Sequence, residues 1–129
     1  MKRNEKLKLE QLELVVSATK IGIWDWHIQT GKLFFNECWA EIIGYTLEEL
    51  QPIRFQTWID HVHPDDYKKT DVLLNNYLNG NADRYEIEFR MLHKQGHYVW
   101  VLATGKTVEW YEDGLPKRMI GTHLDISQR

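Results

Sequence analysis

Residues able to do chemistry fall into four groups in this chain, and none of them assembles a catalytic set. The segment "HVHPDD" offers His61, His63, Asp65 and Asp66 as oxygen and nitrogen donors to a metal, but a second donor cluster of the kind zinc sites draw on is missing. Read as a helix start, the same segment explains itself: Pro64 suits the first helical position, and Asp65 and Asp66 suit the positive first turn. Cys38, the only cysteine, stands between Glu37 and Trp39 in a predicted helix, where a small buried thiol is the expected state. The serines are Ser17 and Ser127, and neither lies in a G-x-S-x-G elbow. Glu86 and Glu88 share one strand face, but they alternate with apolar residues, which points them at solvent rather than at a substrate. No glycine pair has phosphate-loop spacing. The expectation is therefore no catalytic residue and no metal. What remains is aromatic: six Trp and six Tyr in 129 residues give more large rings than a core of this size requires, so some can line a cavity.

The elements that must position these rings follow from hydrophobic period and turn chemistry. Residues 5 to 20 carry Leu9, Leu12 and Val16 at helical spacing, with Leu7, Leu14 and Ile21 on a second stripe. One stripe can pack on the chain's own domain while the other meets a second subunit. Two short β-type runs, 22–28 and 32–36, flank Gln29-Thr30-Gly31-Lys32 as a hairpin. "NECWAEIIGY" predicts a short helix with Asn36 as N-cap and Gly44 near its end, and "TLEEL" a second one in which Thr46 and Glu49 have capping-box spacing. "HPDDYKKTDVLLNNYLNG" predicts a longer helix stopped by Gly80. Tyr85, Ile87, Phe89 and Met91 then alternate with polar residues along a strand, and two further strands, "YVWVLATGKTVEWY" and "KRMIGTHLDI", complete a meander. Layer logic gives an α+β domain, one five-stranded antiparallel sheet with helices on one face.

Composition narrows the class of function. A net charge of −3 with interspersed signs provides no basic stripe for nucleic acid. The start of the chain lacks the apolar segment of a secretory signal, and no apolar run reaches membrane-spanning length, so a cytoplasmic location is expected.

The stretches "GIWDWHIQTGKLFFNECWAEIIGY", "HVHPDD", "YEIEFRMLHKQGHYVWV" and "GTHLDIS" resemble, in order and spacing, a PAS domain with its PAC extension, of the Trp-rich subtype common in bacterial sensor proteins. The likeness covers about residues 21 to 127, leaving 1–20 as an N-terminal capping or dimerisation helix and 128–129 as the start of a truncated linker. The resemblance implies strand order 2-1-5-4-3, a cup between sheet and helices that takes a small ligand or cofactor, homodimerisation through the N-terminal helix and the sheet, and no enzymatic activity of the domain itself. It also implies relay to a C-terminal output domain in cis, such as a histidine kinase or a GGDEF diguanylate cyclase. Asp125, Ile126 and Ser127 stand where the family's final Asp-Ile-Thr joins the last strand to an outgoing helix, with Ser127 suited to be its N-cap. Trp39, Tyr45, Trp58, Tyr85, Phe89 and Trp100 are expected to border the cup. "NECWAE" lacks the reactive-cysteine motif of the covalent flavin branch, and the helix from Asp65 to Asn79 has no histidine for haem. Non-covalent flavin or a small metabolite stays open, as does a ligand-free dimerisation and spacer module.

Overall fold

The computed structural model describes residues 2–127. Helix α1 (Lys2–Thr19) leads into the hairpin β1 (Gly22–His27) and β2 (Lys32–Phe35), followed by α2 (Glu37–Ile42), α3 (Leu47–Leu50), α4 (Phe55–His61), α5 (Pro64–Leu78), β3 (Tyr85–Leu92), β4 (Tyr98–Trp110) and β5 (Pro116–Asp125). All strands pair antiparallel in the order β2-β1-β5-β4-β3, as the resemblance implied. The proposed linker residues Gln128 and Arg129 lie outside the described residues.

Local chemistry sets the helix boundaries. Asn36 caps α2 by accepting from the Trp39 N–H at 3.0 Å, and its side chain also ties to β1 through the Ile23 N–H and the Ile21 carbonyl. Thr46 and Glu49 form the reciprocal capping box at α3. Pro64 opens α5, and Gly80, at φ +80°, follows its C-cap Asn79. The sequence pattern singled out no helix at α4. Its N-cap is Arg54, whose N–H donates to the Thr57 hydroxyl at 3.0 Å, so the helix is capped from inside rather than by a small polar residue in front.

Two glycines shape the floor of the core. Gly105 of β4 and Gly121 of β5 are direct cross-strand partners, and Trp24 on β1 pairs with Gly121. The Trp24 indole lies across both: a Cβ on Gly105 would stand 2.5 Å from its ring, and one on Gly121 would collide with that ring and with the Thr104 carbonyl oxygen. The indole N–H reaches back to the Thr122 carbonyl at 3.3 Å. A large ring can thus lie flat on the sheet and leave room above it for the helices.

Helix α5 is fixed at both ends. At its start Asp66 is buried and takes three hydrogen bonds from Arg90 of β3, one from the backbone N–H (2.8 Å) and two from the guanidinium (2.9 Å each). Near its end the Tyr77 hydroxyl accepts from the Thr107 N–H of β4 at 2.9 Å. By contrast α1 has no buried residue, and Leu7, Leu9, Leu12, Leu14 and Val15 are all exposed. The expected packing of one stripe on the domain is reduced to a groove in which Leu12 and Val16 face Ile23 and Cys38. Cys38 is accordingly half-buried rather than the fully buried thiol expected.

Candidate functional site

Between the sheet and helices α2, α4 and α5 lies a cavity of about 40 Å³ walled almost entirely by rings. Trp24 and Trp26 come from β1, Phe35 from β2, Trp39 from α2, Phe55 and Trp58 from α4, Tyr85 from β3 and His123 from β5, with Leu33 and Leu74 filling between them. The rings form a continuous wall. Trp26 meets Phe55 at 4.9 Å between centroids, Phe55 meets Trp58 at 5.4 Å, Trp58 meets Phe89 at 5.7 Å, Phe89 meets His123 at 5.5 Å, His123 meets Trp39 at 5.3 Å, and Trp39 stacks on Phe35 at 3.6 Å. Tilted, edge-on and stacked pairs of this kind add to the burial energy of each ring.

The polar inventory of the wall is unusual. The indole N–H groups of Trp26, Trp39 and Trp58 are all buried, and all lack a hydrogen-bond partner. A buried donor left unpaired costs about 1–3 kcal/mol; these three are sealed by their neighbours, and the surface open to the cavity is almost wholly apolar. His123 is buried between Trp39 and Phe89, and desolvation pushes its imidazole down to about 3, so it is neutral at physiological pH. Burial likewise raises the Tyr85 hydroxyl well above the usual phenol range. No lysine or arginine lines the space.

Of the six residues expected to border the cup, Trp39, Trp58 and Tyr85 line this cavity, and Phe89 packs directly behind it with no exposure. Tyr45 stands apart, edge-on to His61 at 5.4 Å and beneath the Lys94 ammonium. Trp100 is on the opposite face of the sheet and 42% exposed. The correction has a simple cause: Trp100 pairs with Arg90 while Val101 pairs with Phe89, so strand parity sends Val101 inward and Trp100 out. The sequence reading missed Trp24, Trp26, Phe35, Phe55 and His123. Alternation of Met119, Gly121 and His123 along β5 was the available signal for the last of these.

The histidines weighed as metal donors have local partners. His61 Nδ1 lies 2.7 Å from the Thr57 carbonyl, and His63 Nδ1 accepts from the Asp65 N–H at 3.0 Å. Among the described residues no group of three or more His, Cys, Asp or Glu side chains is placed to hold a metal. A flavin or a haem does not fit the cavity as it stands, since benzene alone occupies an engineered cavity of about 150 Å³ and this one measures about 40 Å³.

At the chain's exit, Trp100 is the meeting point. Its carbonyl accepts from the Ile126 N–H (2.9 Å), its N–H donates to the Ser127 hydroxyl oxygen (2.9 Å), and its ring lies 5.3 Å from the Arg90 guanidinium. Ile126 is buried as an anchor, and Asp125 accepts from the Ser127 N–H at 2.9 Å. Asp125 therefore makes a turn within the joint rather than a bond to a neighbouring strand, and the Ser127 hydroxyl caps the Trp100 N–H rather than any described helix.

This sheet order, with helices over one face and a ring-lined hollow between, defines an α+β fold of the PAS type. The family model described as "PAS fold" matches residues 32–123, and the chain belongs to that family. Over 95 residues it is 30% identical to "Probable diguanylate cyclase DgcE" of Escherichia coli (strain K12), covering 72% of this chain and 8% of that protein. The chain thus spans under a tenth of the curated relative it matches. Among solved structures it is similar to a sensory box histidine kinase/response regulator from Burkholderia thailandensis E264, with 29% identity, a TM-score of 0.78, and coverage of 92% of this chain and 86% of that one. It also shares its fold with the N-terminal domain of a diguanylate cyclase with PAS/PAC sensor from Marinobacter aquaeolei, at 23% identity and a TM-score of 0.71, covering 83% and 95% of the two chains. Among the described residues no helix is long and apolar enough to cross a membrane.

Proposed function

We propose that the chain is the sensory module of a larger cytoplasmic signalling protein, binding a small molecule in the ring-lined cavity and passing the change to a C-terminal histidine kinase or diguanylate cyclase. The observation that supports this reading is the ring-lined hollow between the sheet and helices α2, α4 and α5. The relay runs through β3 to β5. Arg90 joins the start of α5 to Trp100, and Trp100 holds the Asp125–Ser127 joint, so a shift of α5 or of the sheet reaches the residues leading out of the domain. The domain acts by binding, since no nucleophile and base stand together in the site. Homodimerisation uses the exposed leucines of α1 and the outer sheet face, where Trp100 and Trp110 are exposed.

A ligand held only by the folded state raises the melting temperature by mass action, by about 2.7 kcal/mol at a hundredfold excess over its dissociation constant. A thermal-shift screen of small metabolites should give at least one hit. Silence across the screen would favour the second reading, a ligand-free dimerisation and spacer module, which the small cavity and the exposed α1 leucines support. Ser127→Ala tests the joint: it should cost about 1 kcal/mol and speed hydrogen exchange at the Trp100 amide, and an unchanged Trp100 amide would refute that link.

A further inference from the structure

The turn between β3 and β4, His93 to His97, lies away from the cavity and is held down on the loop between α2 and α3. Two main-chain bonds close the turn itself, from the His93 N–H to the His97 carbonyl at 2.7 Å and from the Gly96 N–H to the His93 carbonyl at 2.9 Å. Three further contacts dock it. The Lys94 N–H donates to the Ile43 carbonyl at 2.9 Å, the Lys94 ammonium pairs with Glu49 of α3 and lies over the Tyr45 ring, and the His93 ring lies against Gly44. A Cβ on Gly44 would stand 2.4 Å from the His93 ring, so it is the glycine that gives the imidazole its seat.

These contacts require a neutral His93. Its Nδ1 accepts from the Gln95 N–H at 3.1 Å, which fixes the ring's own proton on Nε2. A second proton would have to go to Nδ1 and would set donor against donor. The His97 ring stacks on the same imidazole, with 4.3 Å between centroids and 20° between planes, so two charged rings would also repel. The charged and titratable groups around His93 are His97 and Lys94 on the turn, Tyr45 and Glu49 on the side of the helices, the latter engaged by Lys94, and Asp125 at the end of β5. Burial and the charge of His97 hold His93 below its ordinary 6.5, against an upward pull from the Asp125 carboxylate. Because the folded-state value is the lower one, the stability gained by docking is fully present above the unfolded value and fades as pH falls.

Asp125 also begins the way out of the domain. It pairs with Val101, after which Ile126 and Ser127 bond to Trp100 and run along β4 toward Tyr98, the residue that follows His97. We propose that the His93–His97 turn is an acid-operated latch: with neutral rings it clasps the β3–β4 hairpin to the α2–α3 loop, and protonation of His93 releases it beside the joint that leads out of the domain. A protonated His93 is also a new partner for Asp125, in competition with the Ser127 N–H that Asp125 accepts at 2.9 Å. The hairpin itself survives release, because the bonds that close it are main-chain bonds and do not titrate. This input is separate from the cavity and stands whether or not the cavity takes a ligand.

The test is amide hydrogen exchange on the 129-residue chain at pH 7.5 and pH 5.5, expressed as protection factors, together with titration of the histidine ring carbon–proton signals. With the released ring at 6.5, the drop to pH 5.5 favours release by up to about tenfold. The Lys94 amide, bonded to the Ile43 carbonyl, should lose protection toward that limit, and the Ile126 amide, bonded to the Trp100 carbonyl, should lose it in parallel. The Thr107 amide, bonded to the Tyr77 hydroxyl, reports the rest of the sheet, and the Lys94 loss is read relative to it. His93→Asn and His93→Phe have no ring nitrogen to protonate and should abolish the extra loss, whatever their protection at pH 7.5. His97→Gln should move the His93 midpoint up toward 6.5. A Lys94 loss no greater than that at Thr107, or one retained in both His93 variants, would overturn the latch. A loss at Lys94 with Ile126 unchanged would overturn its link to the exit, and a His93 midpoint at or above 6.5 would overturn the neutral docked state.

Discussion

Replacing Asp66 by Asn removes one negative charge from the buried start of α5 and leaves the shape of the side chain intact. In the native protein the Arg90 guanidinium and backbone N–H hydrogen-bond this carboxylate, and together they hold it down at about 2 against an ordinary 3.8. A depression of that size corresponds to about 2.5 kcal/mol of stability. Because the folded-state value is the lower one, the contribution is fully present above the unfolded value and is lost as pH falls through the folded one. About 2.2 kcal/mol of it survives at pH 4 and only about half at pH 3, by the same linkage relation. Arg90 is 30% exposed and can regain water when its partner is neutralised, so the loss should stay below the 3–5 kcal/mol typical of a fully buried broken pair. Asp66→Asn should therefore be about 2–3 kcal/mol less stable at pH 7 and melt about 10 °C lower. Urea unfolding followed by tryptophan fluorescence from pH 7 to pH 3 provides the measurement, and the gap between the two proteins should narrow toward the acid end. A gap below about 0.5 kcal/mol at pH 7, the level of an ordinary exposed pair, would refute the assignment of this pair as the clamp on α5. So would a gap of constant size across the pH range.

Three further outcomes follow from the core. Gly121→Ala would drive a Cβ into the Thr104 carbonyl and the Trp24 ring and should cost about 3 kcal/mol or more, whereas Gly80→Ala, which meets nothing within 4 Å, should cost about 1 kcal/mol for its positive φ; chemical denaturation compares them directly. Trp39→Ala should lose about 3–5 kcal/mol and Trp100→Ala about 1 kcal/mol, since the first ring is 1% exposed and the second 42%; equal losses would contradict their placement on opposite faces. His123 is held neutral by burial, its folded value near 3 lying below the unfolded one, so the unfolded chain takes up a proton first as pH falls. Stability should then drop by about 2 kcal/mol between pH 7.5 and pH 5 from this group alone, and His123→Leu, compared by urea midpoints at both pH values, should remove that part of the slope.

The uneven legibility of the sequence has physical causes. Caps and turns were readable because their chemistry is local: Asn36, Thr46 with Glu49, and Pro64 each act on backbone groups within three residues. The sheet was readable because Tyr85, Phe89 and Met91 are separated by polar neighbours. Parity failed at β4, where Tyr98, Trp100 and Leu102 on one face alternate with Val99, Val101 and Ala103 on the other. Both sets are apolar, so alternation cannot say which faces the helices; the register with Arg90 and Phe89 decides it. Helix α4 escaped for a different reason. Phe55, Trp58 and Ile59 have helical spacing, but seven residues give a single turn-to-turn repeat, and the N-cap is an arginine.

The same features explain why the site was only half legible. Trp39 and Tyr85 could be chosen as large rings in expected elements, and Trp58 as a large ring alone, but whether a ring lines a hollow or fills it depends on what lies beneath. Here that is set by Gly105 and Gly121, which let Trp24 lie flat against the sheet. Glycine contributes nothing to a hydrophobic pattern, so the residues that make room for the cavity are the ones such a pattern cannot count. Paired glycines facing each other across two inner strands, with a tryptophan in register on the third, are the sequence feature that marks the floor of this hollow. Enlarging Gly105, whose nearest neighbours are the Trp24 ring and the Met119 side chain, should therefore disturb the cavity before it disturbs the sheet order.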